Sequence, residues 1–198
     1  MARPKPDEDE VRARLLAAAD DLLRQHGADK LTVSDIAARC GMSQSNAYRF
    51  FASKKALLEA LGMRWFDDIQ AALRAVAAGG GTPEDRLRDF LLTQFTLKLE
   101  RWRADPDLFC AYLRLADAHP AIAQAHIAEN HDLLRRLVGD WCGSKGMSPR
   151  AATRVATQIL DATLLIRDPF ALARYGDDMT PRRARELVDL VLAGIQTR

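Results

Sequence analysis

Cysteine is scarce in this chain of 198 residues, and its three thiols stand far apart at Cys40, Cys110 and Cys142. That spacing provides neither a C-x-x-C pair for zinc or redox chemistry nor a disulfide framework, and it fits a reducing cytoplasm. No apolar run approaches the ~20 residues that cross a bilayer as a helix. The opening residues, Met1 to Glu10, have no apolar stretch behind their basic residues and do not read as a secretory signal. Excess charge is also lacking: 29 Lys and Arg face 27 Asp and Glu, for a net +2. A protein coating nucleic acid with its whole surface would be more basic, whereas one touching it through a single patch remains compatible. Disorder is excluded by a hydrophobic content of 48%.

Strand patterns are nearly missing as well. Ala, Leu, Arg, Glu and Gln dominate, and no sustained alternation of β-branched or aromatic with polar residues occurs, so the chain reads as all-α. Thr82-Pro83, Ser148-Pro149 and Thr180-Pro181 each place a hydroxyl at a helix N-cap and proline at the next position, which needs no amide partner. The pattern predicts helices over Asp9–Gln25, Ser34–Cys40, Gln44–Phe51, Lys54 towards Val76, Thr82–Ala104, Pro106–Ala118, Pro120–Cys142, Pro149–Arg167 and Pro181–Gln196. Gly79-Gly80-Gly81 is the clearest break. The expected architecture is an N-terminal three-helix helix-turn-helix domain, residues 1–62, followed by a C-terminal helical bundle, residues 63–198, with a ligand pocket and a dimer interface.

The informative stretch runs from Leu31 to Phe51. Two short helices joined by a tight glycine turn make a helix-turn-helix. Ala37 falls where the helices cross, Gly41 can take the left-handed conformation of the turn, and Ile36, Met42, Ala47 and Phe50 face inward. Gln44, Ser45, Asn46, Tyr48 and Arg49 are left on the outer face of the second helix, with Ser43 as its N-cap. Amide side chains pair with adenine and Arg with guanine in a major groove. Between Ile36 and Leu58 the only charges are Arg39, Arg49, Lys54 and Lys55, a local +4.

The block from Thr32 through Ile36-Ala37, Gly41-Met42-Ser43 and Ala47-Tyr48-Arg49-Phe50-Phe51 to Ser53-Lys54-Lys55-Ala56-Leu57-Leu58 resembles the DNA-binding domain of the tetracycline-repressor (TetR) family, over roughly residues 10–62. The resemblance implies a homodimer that places two recognition helices in successive major grooves of double-stranded DNA at a near-palindromic operator. Carried over by position, it implies that Thr32, Tyr48 and Lys54 hold phosphates and that Gln44, Ser45, Asn46 and Arg49 face bases or flanking phosphates. Ala47 stands where a larger aliphatic is usual, and Asn46 where a small hydroxyl is usual. The family also implies a small-molecule effector, here unidentified, bound among the middle helices. Phe95, Trp102, Phe109, Tyr112 and Trp141 are either its pocket or plain core.

Arg3 and Lys5, on an arm broken by Pro4 and Pro6, either reach a minor groove or form a solvated tail. His119, His126 and His131 do not converge, since His131 lies about 140° around an ideal helix from His126; no metal site is expected. Nor is a catalytic site or cofactor, because phosphate-loop, G-x-S-x-G and H-E-x-x-H motifs are all missing. Stripes at Val155, Ile159, Ala162 and Ile166 and at Leu187, Leu190, Val191 and Ile195 suit a four-helix dimer interface, or packing within one subunit. The expected function is a cytoplasmic repressor released by its effector. The competing reading is a DNA-binding protein of the same fold without an effector, acting through a protein partner or DNA architecture.

Overall fold

The computed structural model describes residues 7–196; Arg3 and Lys5 lie outside that range. Helix α1 spans Glu8–His26, and a 3-10 turn at Ala28–Lys30 leads into α2 (Val33–Arg39) and α3 (Gln44–Phe50). Then follow α4 (Lys54–Ala78), α5 (Pro83–Ala104), α6 (Pro106–Ala118), α7 (Pro120–Ser144) and α8 (Pro149–Ala162). The short α9 (Leu164–Arg167) and α10 (Pro169–Tyr175) precede α11 (Pro181–Gln196). No strand occurs among the described residues. The chain forms two compact units, the first comprising residues up to Trp65 with Asp107–Ala123, the second Phe66–Pro106 with Gln124 onward.

Local chemistry explains most boundaries. Asp7, Thr32, Ser43, Thr82 and Ser148 each accept a hydrogen bond from the amide two or three residues on, closing an otherwise orphaned donor. Gly27 ends α1 at φ +76°, and Gly41 makes the α2–α3 turn at φ +64°. In that turn the amide of Met42 reaches the Ala37 carbonyl at 2.9 Å.

In the first unit Leu15, Leu16, Ala19 and Leu23 of α1 pack with Ile36, Ala37, Ala47, Phe51, Leu57 and Leu61. Tyr112 and Leu115 of α6 join this core. In the second unit α11 lies against α5, burying Ala184, Val188 and Leu192.

One predicted helix is broken. The expected Pro149–Arg167 stops at Ala162 and restarts at Leu164. Thr163 directs its hydroxyl back to the Ile159 carbonyl at 2.6 Å, a side-chain bond that competes with helix continuation. Arg167 then donates to the Leu160 carbonyl at 2.7 Å and to Thr163 Oγ1 at 3.0 Å. Asp168 caps an additional helix, α10, by accepting from the Phe170 amide.

The two expected interface stripes fare differently. Val155, Ile159 and Ile166 are buried inside the second unit, so that stripe is core, with Ala162 exposed at its side. On α11 the buried face is Ala184–Val188–Leu192, which leaves Leu187, Val191 and Ile195 half-buried and Leu190 71% exposed.

Candidate nucleic-acid interface

Helix α3 buries one side chain completely, and it is a small one. Ala47 is fully buried, and Met42 and Phe50, partly buried, pack against the same core. Arg12 of α1 donates to the Phe50 carbonyl at 3.3 Å and lies 4.8 Å from the centre of the Phe51 ring. It thereby holds the C-terminal end of α3, where a carbonyl would lack an intrahelical partner. Nothing in the sequence near the motif signals Arg12, which acts from 38 residues away.

With Ala47 turned inward, Gln44, Ser45, Tyr48 and Arg49 are exposed and Asn46 is half-buried. Ser43 is occupied as the N-cap, accepting from the Asn46 amide at 3.3 Å. Thr32 likewise caps α2: its hydroxyl accepts from the Asp35 amide at 3.1 Å and donates to the Asp35 carboxylate at 2.6 Å. Lys54, half-buried at the start of α4, donates to the Asp29 carbonyl at 2.6 Å and ties that helix to the 3-10 turn.

The local +4 is moderated by nearby carboxylates, two of them brought in by tertiary structure. Arg39 pairs with Asp21 at 3.2 Å, Arg49 approaches Glu8 at 3.9 Å, and Lys55 approaches Glu59 at 3.8 Å. These pairs are exposed, so each contributes little and is readily exchanged for another anion.

The five aromatics offered for a pocket are divided between the units. Phe109 and Tyr112 belong to the first, where both pack around Trp65, with Tyr112 stacked on the indole at 4.0 Å. Phe95, Trp102 and Trp141 belong to the second. Phe95 and Trp141 are fully buried there, and Trp141 donates its indole N–H to Glu84 at 3.2 Å. Trp102 lies over Gly176, where a Cβ would come within 2.7 Å of the ring. Openings in the second unit lie elsewhere. A cleft of about 380 Å³ is lined by Arg135, Gly139, Gly143, Thr153 and Leu160, among others. One of about 520 Å³ is lined by residues including Arg74, Glu129, Arg136 and Asp140.

His126 packs on Phe66 with ring centres 4.5 Å apart, and burial pulls its pKa down. Among the described residues no three His, Cys, Asp or Glu side chains gather as a metal site would need.

A buried-core α2–turn–α3 pair with an exposed polar face defines the class, a helix-turn-helix protein. Residues 15–61 match the profile of bacterial regulatory proteins of the tetR family, and residues 83–188 match that of tetracyclin repressor-like C-terminal domains. The chain belongs to the tetR family, whose members are DNA-binding transcriptional regulators and not enzymes. It is 27% identical over 123 residues to an uncharacterised helix-turn-helix-type transcriptional regulator of Mycobacterium bovis, a match spanning 62% of this chain and 58% of that one. Among solved structures, a proposed transcriptional regulator of Pseudomonas aeruginosa PAO1 superposes with a TM-score of 0.74 at 20% identity, covering 98% of this chain and 93% of that one. A TetR/AcrR-family regulator of Thermobifida fusca gives 0.66 at 20% identity, covering 93% and 98%. At such identities the likeness is one of fold. Among the described residues no helix is long and apolar enough to cross a membrane.

Proposed function

We propose that the protein is a cytoplasmic, sequence-specific repressor that binds a near-palindromic operator as a homodimer and leaves it when a small-molecule effector binds. The observation that carries the DNA reading is α3 itself, whose Ala47 is sealed in the core while Gln44, Ser45, Tyr48 and Arg49 stay open. In this reading Gln44, Ser45, Asn46 and Arg49 face bases or flanking phosphates, and Tyr48, Lys54 and Thr32 hold phosphates. Ser43 contributes by capping α3. Lys54 has two N–H donors beyond the one given to Asp29. Thr32 reaches a phosphate only by giving up its bond to Asp35.

The dimer surface is assigned to the open side of α11, around Leu187, Leu190, Val191 and Ile195, with Leu164 and Leu165 of α9, 58% and 45% exposed. Exposed leucines in such number suit an interface better than a solvated surface. Release requires the effector to bind one conformation of the dimer more tightly than the other.

Selection of bound sequences from a random duplex pool tests this reading, with Tyr48→Ala/Lys54→Ala protein as control. Enrichment of a near-palindrome by the unmodified protein alone supports it. A folded dimer that enriches nothing overturns it.

A further inference from the structure

Lys98 and Arg167 place two cations together in the second unit. Lys98, partly buried on α5, donates to the backbone carbonyl of Arg167 at 2.6 Å. The Arg167 guanidinium spends Nε on Thr163 and one Nη on the Leu160 carbonyl. Among the described residues neither side chain has a carboxylate at ion-pair distance. Asp168 acts on both and Asp161 on Arg167, each from farther off. His131 of α7, half-buried, lies within electrostatic reach of Arg167, with Arg135 and Asp132 as its other charged neighbours.

Like charges brought together away from water repel and lose hydration, a cost that proteins ordinarily offset with a carboxylate. Here the compensation is incomplete. Burial and the adjacent guanidinium bring the Lys98 ammonium down to about 8, and burial lowers Arg167 as well. One turn before Lys98, on the same face of α5, Gln94 is only 3% exposed and its Oε1 has no hydrogen-bond partner. Phe95 and Leu99, beside them in the sequence of α5, are also buried. An anionic head with an apolar body would suit the cations and this apolar stretch of α5, and a hydroxyl donor would satisfy Gln94.

We propose that Lys98 and Arg167, with His131 beside them, form the receptor for the carboxylate of a small organic acid in the second unit. This rests on the effector reading above only for its consequence, since binding itself is measurable without DNA. A carboxylate restores the missing counter-charge, which keeps Lys98 protonated and draws α5 and the α8–α9 break towards one ligand.

The test is calorimetric titration and thermal unfolding of the full-length protein at pH 7 with benzoate and octanoate. Benzyl alcohol, 1-octanol and inorganic phosphate serve as controls, with sodium chloride matching ionic strength. At least one carboxylate is expected to bind and raise the melting temperature, with neither alcohol doing so. Affinity should fall tenfold or more in Lys98→Met and in Arg167→Met, and should be regained in Lys98→Arg. Between pH 7 and pH 9 it should weaken in the wild type but not in Lys98→Arg, as Lys98 loses its proton. Lys98→Gln, with unchanged helical circular dichroism, guards against a folding defect in Lys98→Met.

No carboxylate binding, equal binding by Lys98→Met, or a preference for phosphate would each overturn the proposal. If carboxylates fail while operator selection succeeds, the anion site falls and the regulator stands. The opposite pair of results leaves the site and removes the regulator.

Discussion

Tyr112 of α6 donates its phenolic hydrogen to the carboxylate of Asp20 on α1 at 2.6 Å. Arg64 of α4 pairs with the other oxygen of the same carboxylate and also donates to the Leu16 carbonyl at 3.3 Å. One acid thus joins three helices of the first unit, and Trp65 stacks on the Tyr112 ring. Burial and the Asp20 charge push the Tyr112 hydroxyl well above its ordinary value, so it remains a donor at any working pH. Tyr112→Phe is expected to cost about 1 kcal/mol, the usual net value of one hydrogen bond. Asp20→Ala should cost more, about 2–3 kcal/mol, because it strands Arg64 in partly buried surroundings. Urea unfolding checks the order; equal losses would mean that Arg64 finds water instead.

Gly62 allows α4 and the start of α7 to meet. A Cβ there would lie 2.0 Å from Ile122 Cγ2, too near for any side chain. Gly62→Ala should destabilise by about 1–3 kcal/mol through overpacking. Adding Ile122→Ala should recover part of that loss in a double-mutant cycle. Purely additive effects would place the strain elsewhere.

On a selected operator, Gln44→Ala or Asn46→Ala should cost about 1–3 kcal/mol and relax preference at one base position. Lys54→Ala should weaken all sequences alike and flatten the salt dependence. Fluorescence anisotropy on matched and mismatched duplexes at several salt concentrations separates the two patterns. Their reversal would exchange the base readers and the phosphate clamps.

Stability at alkaline pH carries a signature of Lys98. Its folded value of about 8 lies below the ordinary 10.5, so between those values the unfolded chain binds the extra proton. Unfolding free energy therefore gains a rising contribution from this group as pH climbs from about 8 towards 10.5. The difference between wild type and Lys98→Met, measured by denaturant unfolding from pH 7 to pH 10, should show that rise. A flat difference would mean that the amine is hydrated in the folded protein.

Leu190 is the most exposed large apolar residue of α11, at 71%. Leu190→Asp should convert dimer to monomer, as read by light scattering, with little loss of helix because the side chain supports no intramolecular packing. A dimer that persists would move the interface to another face.

Where the information is local, the sequence was readable. Thr82-Pro83 and Ser148-Pro149 start helices as their chemistry dictates, and Gly41 adopts the left-handed turn demanded by its place between two short helices. The break at Thr163 was not readable, because a threonine inside an apolar stripe looks like any β-branched helical residue until its hydroxyl chooses the i−4 carbonyl. The α8 stripe left packing within the subunit and a dimer interface both open for a similar reason: periodicity identifies an apolar face but not the surface that covers it.

The sequence by itself determined an all-helical chain, the helix-turn-helix and the burial of Ile36, Ala37 and Ala47 within it, since caps, turns and the 3.6-residue period act over a few neighbours. Only the tertiary structure decided which charges meet. It brought Glu8 and Asp21 of α1 to Arg49 and Arg39, divided the aromatics between two units, and set Lys98 against Arg167 across 69 residues. Coulomb and packing terms depend on distance in space, and the chain's local pattern does not carry that distance.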